Sequence, residues 1–127
     1  MKLTEMQGTS SSIEMCFTEM FEQFQFEAFQ RQVIHAPWGF CTYGIHEGYL
    51  YIASVYIDPR HRGIGIPRVL LRELEKIGKS VGRDNIGTKV HTLDKAWQNN
   101  IAICEHLGFR RVKVSPEYIF LMKRREE

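Results

Sequence analysis

Ile57-Asp58-Pro59-Arg60-His61-Arg62-Gly63-Ile64-Gly65-Ile66-Pro67-Arg68 follows a strand-like apolar run and opens an amphipathic helical pattern. A strand, a glycine-bearing turn and a helix in that order make a cradle for an anion. Glycine enters backbone regions closed to other residues, so successive N–H groups can turn inward together, and the helix N-terminus adds the positive end of its dipole. Arg60, Arg62 and Arg68 bracket the two glycines, which suits a polyanion such as a nucleotide-bearing cofactor. The segment is not a Walker loop, since no Gly-Lys-Ser/Thr follows, nor a dinucleotide fingerprint, since the third glycine is absent.

Outward from the cradle, Tyr49 to Ile57 and Trp38 to Ile45 are rich in aromatic and β-branched residues. They are separated by His46-Glu47-Gly48, the pattern of an antiparallel hairpin. Upstream, Ile13, Phe17, Met20, Phe21 and Phe24 recur at spacings of three and four, with Ser12 available as a cap. This spacing predicts an amphipathic helix from Ser10 or Ser11 to about Phe24 whose aromatic stripe is core packing. Residues 27 to 35 fit either an extension of that helix or a short strand before Pro37.

Downstream, Leu70, Leu74, Ile77 and Val81 line one face of a helix that begins at Pro67 and that Gly82 is placed to stop. Thr88 to Leu93 reads as a strand. Asp94 is the expected N-cap of a helix from Lys95 to about Leu107, with Ile103 and Leu107 facing inward and Gly108 ending it. Phe109 to Val114 and Tyr118 to Met122 close the chain as strands around Ser115-Pro116-Glu117. The fold class is mixed α/β (α+β), a largely antiparallel sheet flanked by helices.

A length of 127 residues predicts a single domain spanning residues 1–127. The 43% apolar and 25% charged fractions are those of a soluble globular chain. No apolar run approaches the roughly 20 residues of a membrane span, and no signal-peptide core opens the sequence. A cytoplasmic location is expected. Cys16, Cys41 and Cys104, odd in number and without CxxC spacing, suggest neither a disulfide framework nor a metal site. Residues 1–29 carry Lys2 against Glu5, Glu14, Glu19, Glu22 and Glu27, so the net charge of +2 leaves the cradle-bearing remainder basic. Lys123-Arg124-Arg125, offset by Glu126 and Glu127, reads as a solvated terminus.

The cradle, written Ile57, Pro59, Arg62, Gly63, Gly65, resembles the acyl-CoA pyrophosphate loop of the GCN5-related N-acetyltransferase (GNAT) family. A second segment, Asn100-Ile101-Ala102-Ile103-Cys104-Glu105-His106-Leu107-Gly108-Phe109, is similar to that family's later helix and follows at the family's spacing of about forty residues. Together the matches span roughly residues 49 to 109. The resemblance implies two splayed central strands enclosing an acyl-CoA cleft, and an amine that attacks the thioester carbonyl directly. It implies phosphate contacts from Arg62, Gly63, Ile64, Gly65, Ile66 and Arg68. The backbone of Tyr56 and Ile57 would hold the pantetheine arm and polarise the acyl oxygen, with Asn100 or Asn99 also contacting the arm.

Three positions depart from the family pattern. Pro67 stands where a small residue ends the cradle, removing one N–H donor. Trp97 stands where an asparagine often touches the arm. Cys104 stands where many members carry a tyrosine that protonates the departing thiolate, which makes it the candidate general acid, against the plain alternative of a buried, inert thiol. No acid or base lies between Tyr49 and Ile57. Glu47, His46 and Asp58 flank that strand, and His35 and His91 cannot be positioned from sequence, so an ordered water is the default proton relay.

The expected activity is therefore acyl-CoA-dependent N-acyl transfer, with acetyl-CoA as donor and a primary amine of a metabolite or protein as acceptor. The acceptor would lie between the N-terminal helix, whose glutamates attract a cation, and the hairpin near Tyr118. The alternatives are a catalytically weak or inactive GNAT-fold protein that binds CoA or a partner, and a nucleic-acid or phosphoprotein binder using Arg60, Arg62 and Arg68. No nucleic-acid or membrane partner is expected, and a homodimer would be in keeping with the family.

Overall fold

The computed structural model describes residues 10–126, with side chains from Thr18 onward. Helix α1 (Ser10–Phe29) leads into strands β1 (Arg31–Ala36), β2 (Gly39–His46) and β3 (Tyr49–Ile57). A 3₁₀ turn (Pro59–His61), helix α2 (Ile66–Ser80), strand β4 (Asn85–His91), helix α3 (Trp97–His106) and strands β5 (Arg110–Val114) and β6 (Tyr118–Arg124) follow. The six strands form one sheet in the order β1-β2-β3-β4-β6-β5, antiparallel at every pairing except β3 with β4.

The ambiguous stretch 27–35 contains both a helix end and a strand. Gln30 takes a left-handed φ of 55° and its N–H donates to the Phe26 carbonyl, which ends α1 and releases β1 one residue later. The faces assigned to Ile13 and Phe17 and the capping by Ser12 lie outside the described residues.

Helices α2 and α3 end as the glycines predict. After α2, Gly82 sits at φ 70° while Arg83 N–H donates to Gly78 and Gly82 N–H to Lys79. After α3, Gly108 sits at φ 101° while Phe109 N–H donates to Cys104 and Gly108 N–H to Glu105. Both are Schellman closures, which satisfy carbonyls that would otherwise be orphaned.

Helix α3 starts later than expected. Asp94 Oδ1 accepts from the Ala96 N–H at 2.8 Å and its carbonyl accepts from Trp97 N–H. The aspartate thus shapes a turn ahead of the helix, and the first helical residue is Trp97. The inward face changes accordingly: Ile101 is buried, Trp97, Cys104 and Leu107 pack against the core, and Ile103 is exposed. The C-terminal basic run is only partly solvated, with Arg124 exposed and Lys123 and Arg125 tied down. Lys123 and Arg124 belong to β6, Lys123 Nζ lies 3.8 Å from Glu75 Oε2 with both side chains largely buried, and Arg125 pairs with Asp84.

Alternation along the strands separates two faces. Leu50, Ile86, Val90, Ile119 and Leu121 point to one side and join Leu70, Leu71, Leu74 and Ile101 of α2 and α3 in the core. On the opposite face Gly87 lies beneath the rings of Tyr49 and Phe120. Phe21 of α1 meets Phe40 edge-on, and Phe40 stacks on Tyr56 at 5.9 Å.

Pairing between β3 and β4 covers only Tyr49–Ile52 and Asn85–Thr88. Beyond that point β3 continues along β2 as far as Ile57, and β4 continues along β6 as far as His91, so the two central strands part. The cause is visible in the β2–β3 register. Tyr43 opposes Ile52 while Thr42 opposes Ser54, leaving Ala53 as an extra residue. A bulge of this kind bends its strand and increases the local twist.

The upper end of β3 is held to β2 at Gly39, whose φ is 143° and where a Cβ would lie 2.0 Å from the Tyr56 carbonyl oxygen. Gly39→Ala therefore forces backbone apart beside the parted strands. We expect a loss of about 3 kcal/mol in a urea denaturation series, and a neutral result there would contradict this packing.

Candidate active site

Where β3 and β4 separate, a cavity of about 850 Å³ opens, lined by Ile52–Ile57 on one side, Thr88–His91 on the other, and Leu70, Leu71, Ile103 and Leu107 of the two helices. Asp58 N–H donates to the Trp38 carbonyl and the Tyr56 carbonyl faces Gly39. By the alternation of antiparallel pairing, Val55 and Ile57 turn their backbone groups the other way, toward the cavity. The expectation for Tyr56 is thereby corrected. Its carbonyl is directed to β2, and Val55 is the residue two places before Ile57 that presents backbone to the cleft.

The glycine segment closes one end of the cavity. Gly63 and Gly65 have φ of 80° and 84° with open space where a Cβ would stand, and Gly65 caps α2 with no side-chain hydrogen bond. Among the described residues the backbone N–H groups of Gly63, Ile64, Gly65, Ile66 and Arg68 find no protein acceptor. Five unpaired donors around a helix N-terminus form an anion site. Pro67 falls in the first turn of α2, where an N–H has no intrahelical partner, so the proline costs the helix nothing and the cradle one donor.

The three arginines are not equivalent. Arg60 is committed to Asp58: its backbone N–H and Nε reach Oδ1 at 2.9 and 3.2 Å, and Nη2 reaches Oδ2 at 2.9 Å. These bonds, the side-chain ones foremost, lower the Asp58 carboxyl to about 2, which removes it from the candidate bases. Arg62 lies over the Tyr56 ring and donates from Nε to the Ile57 carbonyl at 3.0 Å, leaving its two Nη groups free of protein acceptors among the described residues. Arg68 is exposed at the start of α2, and a second groove of about 360 Å³ runs from Gly65, Pro67 and Arg68 to Ala102 and His106. Arg62 and Arg68 are the cations left for a ligand.

Asn99, Asn100 and Cys104 of α3 all border the main cavity. Burial first, and then the neighbouring Glu105 carboxylate, push the Cys104 thiol up to about 11. An ordinary thiol sits near 8.5, so Cys104 would give its proton to a leaving thiolate only against the gradient. It is a poor general acid. Of the other candidates, Glu47 and His46 lie at the far end of β3 from the cradle, and His35 is exposed on the edge strand β1. His91, Lys89 and His61 do line the cavity, and the His61 Nδ1 is shut from solvent without a hydrogen-bond partner. Val55, Lys89 and His61 were not singled out as site residues from sequence. The bulge sets the facing of Val55, and the end of β3–β4 pairing at Thr88 leaves Lys89 at the cleft; both show in the pairing and not in the residue pattern.

A sequence profile of the Acetyltransferase (GNAT) family matches residues 9–109. The chain belongs to the GNAT acetyltransferase family. Among solved structures it is similar to a candidate acyl-CoA N-acyltransferase from Klebsiella pneumoniae, at 19% identity and a TM-score of 0.63, over 92% of this chain and 91% of that one. A GNAT-family structure from Desulfovibrio desulfuricans aligns at 17% identity and a TM-score of 0.63, over 70% of this chain and 62% of the other. The Paia N-acetyltransferase from Thermoplasma acidophilum, solved in complex with coenzyme A, aligns at 22% identity and a TM-score of 0.59, over 68% of this chain and 52% of its own. At these identities the likeness is one of fold, and the chain spans only about half to three-fifths of the last two proteins. No curated protein matches it. Among the described residues, no helix is long and apolar enough to cross a membrane, and no group of three His, Cys, Asp or Glu is placed to hold a metal ion.

The raised Cys104 thiol has a direct readout. In a Cys16→Ser background, iodoacetamide labelling of Cys104 should be slow at neutral pH and rise with a midpoint near pH 11, the value to which burial pushes it. Half-maximal labelling at pH 8.5 would show a thiol far more acidic than this packing allows.

Proposed function

We propose that this GNAT-family protein is an acyl-CoA-dependent N-acyltransferase that moves acetyl from acetyl-CoA to a primary amine by direct attack. The observation that carries the proposal is the parting of β3 and β4 after Ile52 and Thr88, with the backbone of Val55 and Ile57 facing the cavity and the unpaired N–H groups of 63–66 at its end. Those donors, with the Nη groups of Arg62 and the Arg68 side chain, are the residues that would hold a pyrophosphate. Acetyl-CoA would supply an acyl group already activated as a thioester.

Within the cleft, a Val55 or Ile57 N–H is placed to donate to the acyl oxygen, where negative charge grows as the amine adds to the carbonyl. Preorganised backbone donors of this kind typically contribute about 3 kcal/mol to lowering such a barrier. Asn99 and Asn100 offer amide groups to the connecting arm from α3. The attacking nitrogen must lose a proton, and no glutamate lines the cavity, so an ordered water between the strands takes it. With Cys104 protonated and weakly acidic, solvent also returns the proton to the departing thiolate.

A second reading, a GNAT-fold protein that binds CoA with weak or no catalysis, is favoured by two observations: no glutamate lines the cavity, where the carboxylate of Asp94 is tied to the Ala96 N–H, and Cys104 is largely buried. A nucleic-acid role is disfavoured by the neutralisation of Arg60 by Asp58, which leaves two free cations at the cradle.

Calorimetric titration with acetyl-CoA, followed by thiol-release assays over a panel of amines and peptides, separates these readings. Micromolar binding with turnover is expected. Arg62→Ala should weaken CoA binding by roughly tenfold, the loss of one charge-assisted contact. Cys104→Ala should leave kcat within about twofold, whereas a loss of about a hundredfold would restore the thiol as the acid. Binding without turnover on any acceptor would select the inactive reading.

A further inference from the structure

The cavity between the parted strands reaches both faces of the sheet. Leu70, Leu71 and Ile103 line it on the helix side, while Ser54, Tyr56, Lys89 and His91 line it from the strands. The cradle occupies the N-terminus of α2, so a cofactor enters from the helix side. An acceptor then meets the acyl group from the opposite face, and what stands on that face decides which amines fit.

Lys89 and Lys113 both lie opposite Phe120 in the register, one on each strand flanking β6. Three adjacent strands place their Cα atoms about 10 Å apart in one row. Both ammonium groups converge on a single ring, Lys89 Nζ at 4.8 Å and Lys113 Nζ at 5.7 Å from the centroid of Tyr118. His91 is the direct partner of Tyr118 and its ring lies 6.4 Å away. Neither lysine has a carboxylate within ion-pair distance among the described residues. Asp94, at the same cavity, spends Oδ1 on the Ala96 N–H, and the nearby Arg111 is paired with Glu105. Two like charges held over one ring with no counter-ion repel each other, and an anion between them relieves that repulsion.

Lys89 is also the first residue of β4 past the last paired position, Thr88. It therefore stands at the mouth of the cleft and joins the cationic row to the site of acyl transfer.

We infer that the acceptor is an amine bearing an anionic group, a carboxylate or a phosphate monoester, which Lys89 and Lys113 hold beside Tyr118 while the amine enters between β3 and β4. This deepens the N-acyltransferase proposal and rests on it. It also reverses the charge expected of the acceptor site from the glutamates of the N-terminal segment: the polar groups at the cleft mouth on β4 are Lys89 and His91, not acids. Tyr118 supplies the flat wall that both ammonium groups share and fixes their spacing.

The test is a matched panel: ω-amino acids of stepped chain length, their carboxamides, and amino alcohols with and without a phosphate monoester. Each is assayed for thiol release with acetyl-CoA, alongside calorimetric binding of coenzyme A. The wild-type protein should favour the anionic member of each pair by about tenfold in kcat/KM. Lys89→Gln with Lys113→Gln should abolish that preference while coenzyme A affinity stays within about twofold. The carboxylate and phosphate arms show which anion fits the row. Because both lysines are exposed on strand faces, the double variant should fold, and an unchanged melting temperature verifies it. Equal turnover of charged and neutral amines, or a preference that survives the double variant, would overturn this inference and leave the N-acyltransferase proposal standing. Coenzyme A binding without turnover on any member would overturn both.

Discussion

The constraint on which the rest of this molecule depends is the failure of β3 and β4 to stay paired beyond Ile52 and Thr88. A parallel pair at the centre of a sheet normally exchanges a hydrogen bond at each step, and leaving such groups unpaired in a half-buried place costs about 1 to 3 kcal/mol each. The fold supports the gap from both sides. β3 stays pinned to β2 up to Ile57, helped by the close approach of Gly39 to Tyr56, and β4 stays pinned to β6 up to His91. Thr88 Oγ1 donates to the Ile52 carbonyl at 3.2 Å and closes the last rung. The two halves are each well held, so the gap between them persists as a defined slot whose walls are backbone.

That slot explains why the cradle sits where it does. Ile57 is the last residue of β3, and the chain needs only the Pro59–His61 turn to reach the N-terminus of α2. Asp58 organises this turn by accepting three hydrogen bonds from Arg60, and Arg62 ties the far side of the turn to the Ile57 carbonyl. One arginine thus shapes the loop and a second anchors it to the slot, and the anion site and the backbone edge are fixed relative to each other. The geometry of one fixes the reach of any ligand that spans both.

Much of this was open to a reader of the sequence, because the periodic apolar positions of α2, the Gly82 and Gly108 stops and the aromatic hairpin are local signals. What escaped has a common physical cause. Tyr49 to Ile57 is apolar or aromatic at nearly every position, so the pattern cannot show that Ala53 is an extra residue, and without the bulge the facing of every residue after it is assigned wrongly. The resemblance implied Tyr56 and Ile57 together, and only the pairing with β2 shows that Val55, not Tyr56, joins Ile57 in presenting backbone to the cleft. Asp94 looked like a helix cap because it precedes an apolar pattern, but its side chain closes a turn two residues early. The Lys89 and Lys113 row depends on strand neighbours 24 residues apart in sequence meeting across β6, which no local pattern reports.

The two ends of the slot carry charge for different purposes. At the cradle the positive potential comes chiefly from backbone N–H groups and a helix terminus, which bind phosphate whatever the side chains are, and this fits a site that serves one invariant ligand. At the opposite mouth it comes from two lysine side chains on a tyrosine, which substitution can remove without disturbing the fold. On the proposed reading, backbone recognition of the donor and side-chain recognition of the acceptor would let one framework keep its cofactor while changing its amine. The parting of β3 and β4 makes this division workable, because it leaves a slot in the middle of the sheet that ligands would approach from different faces.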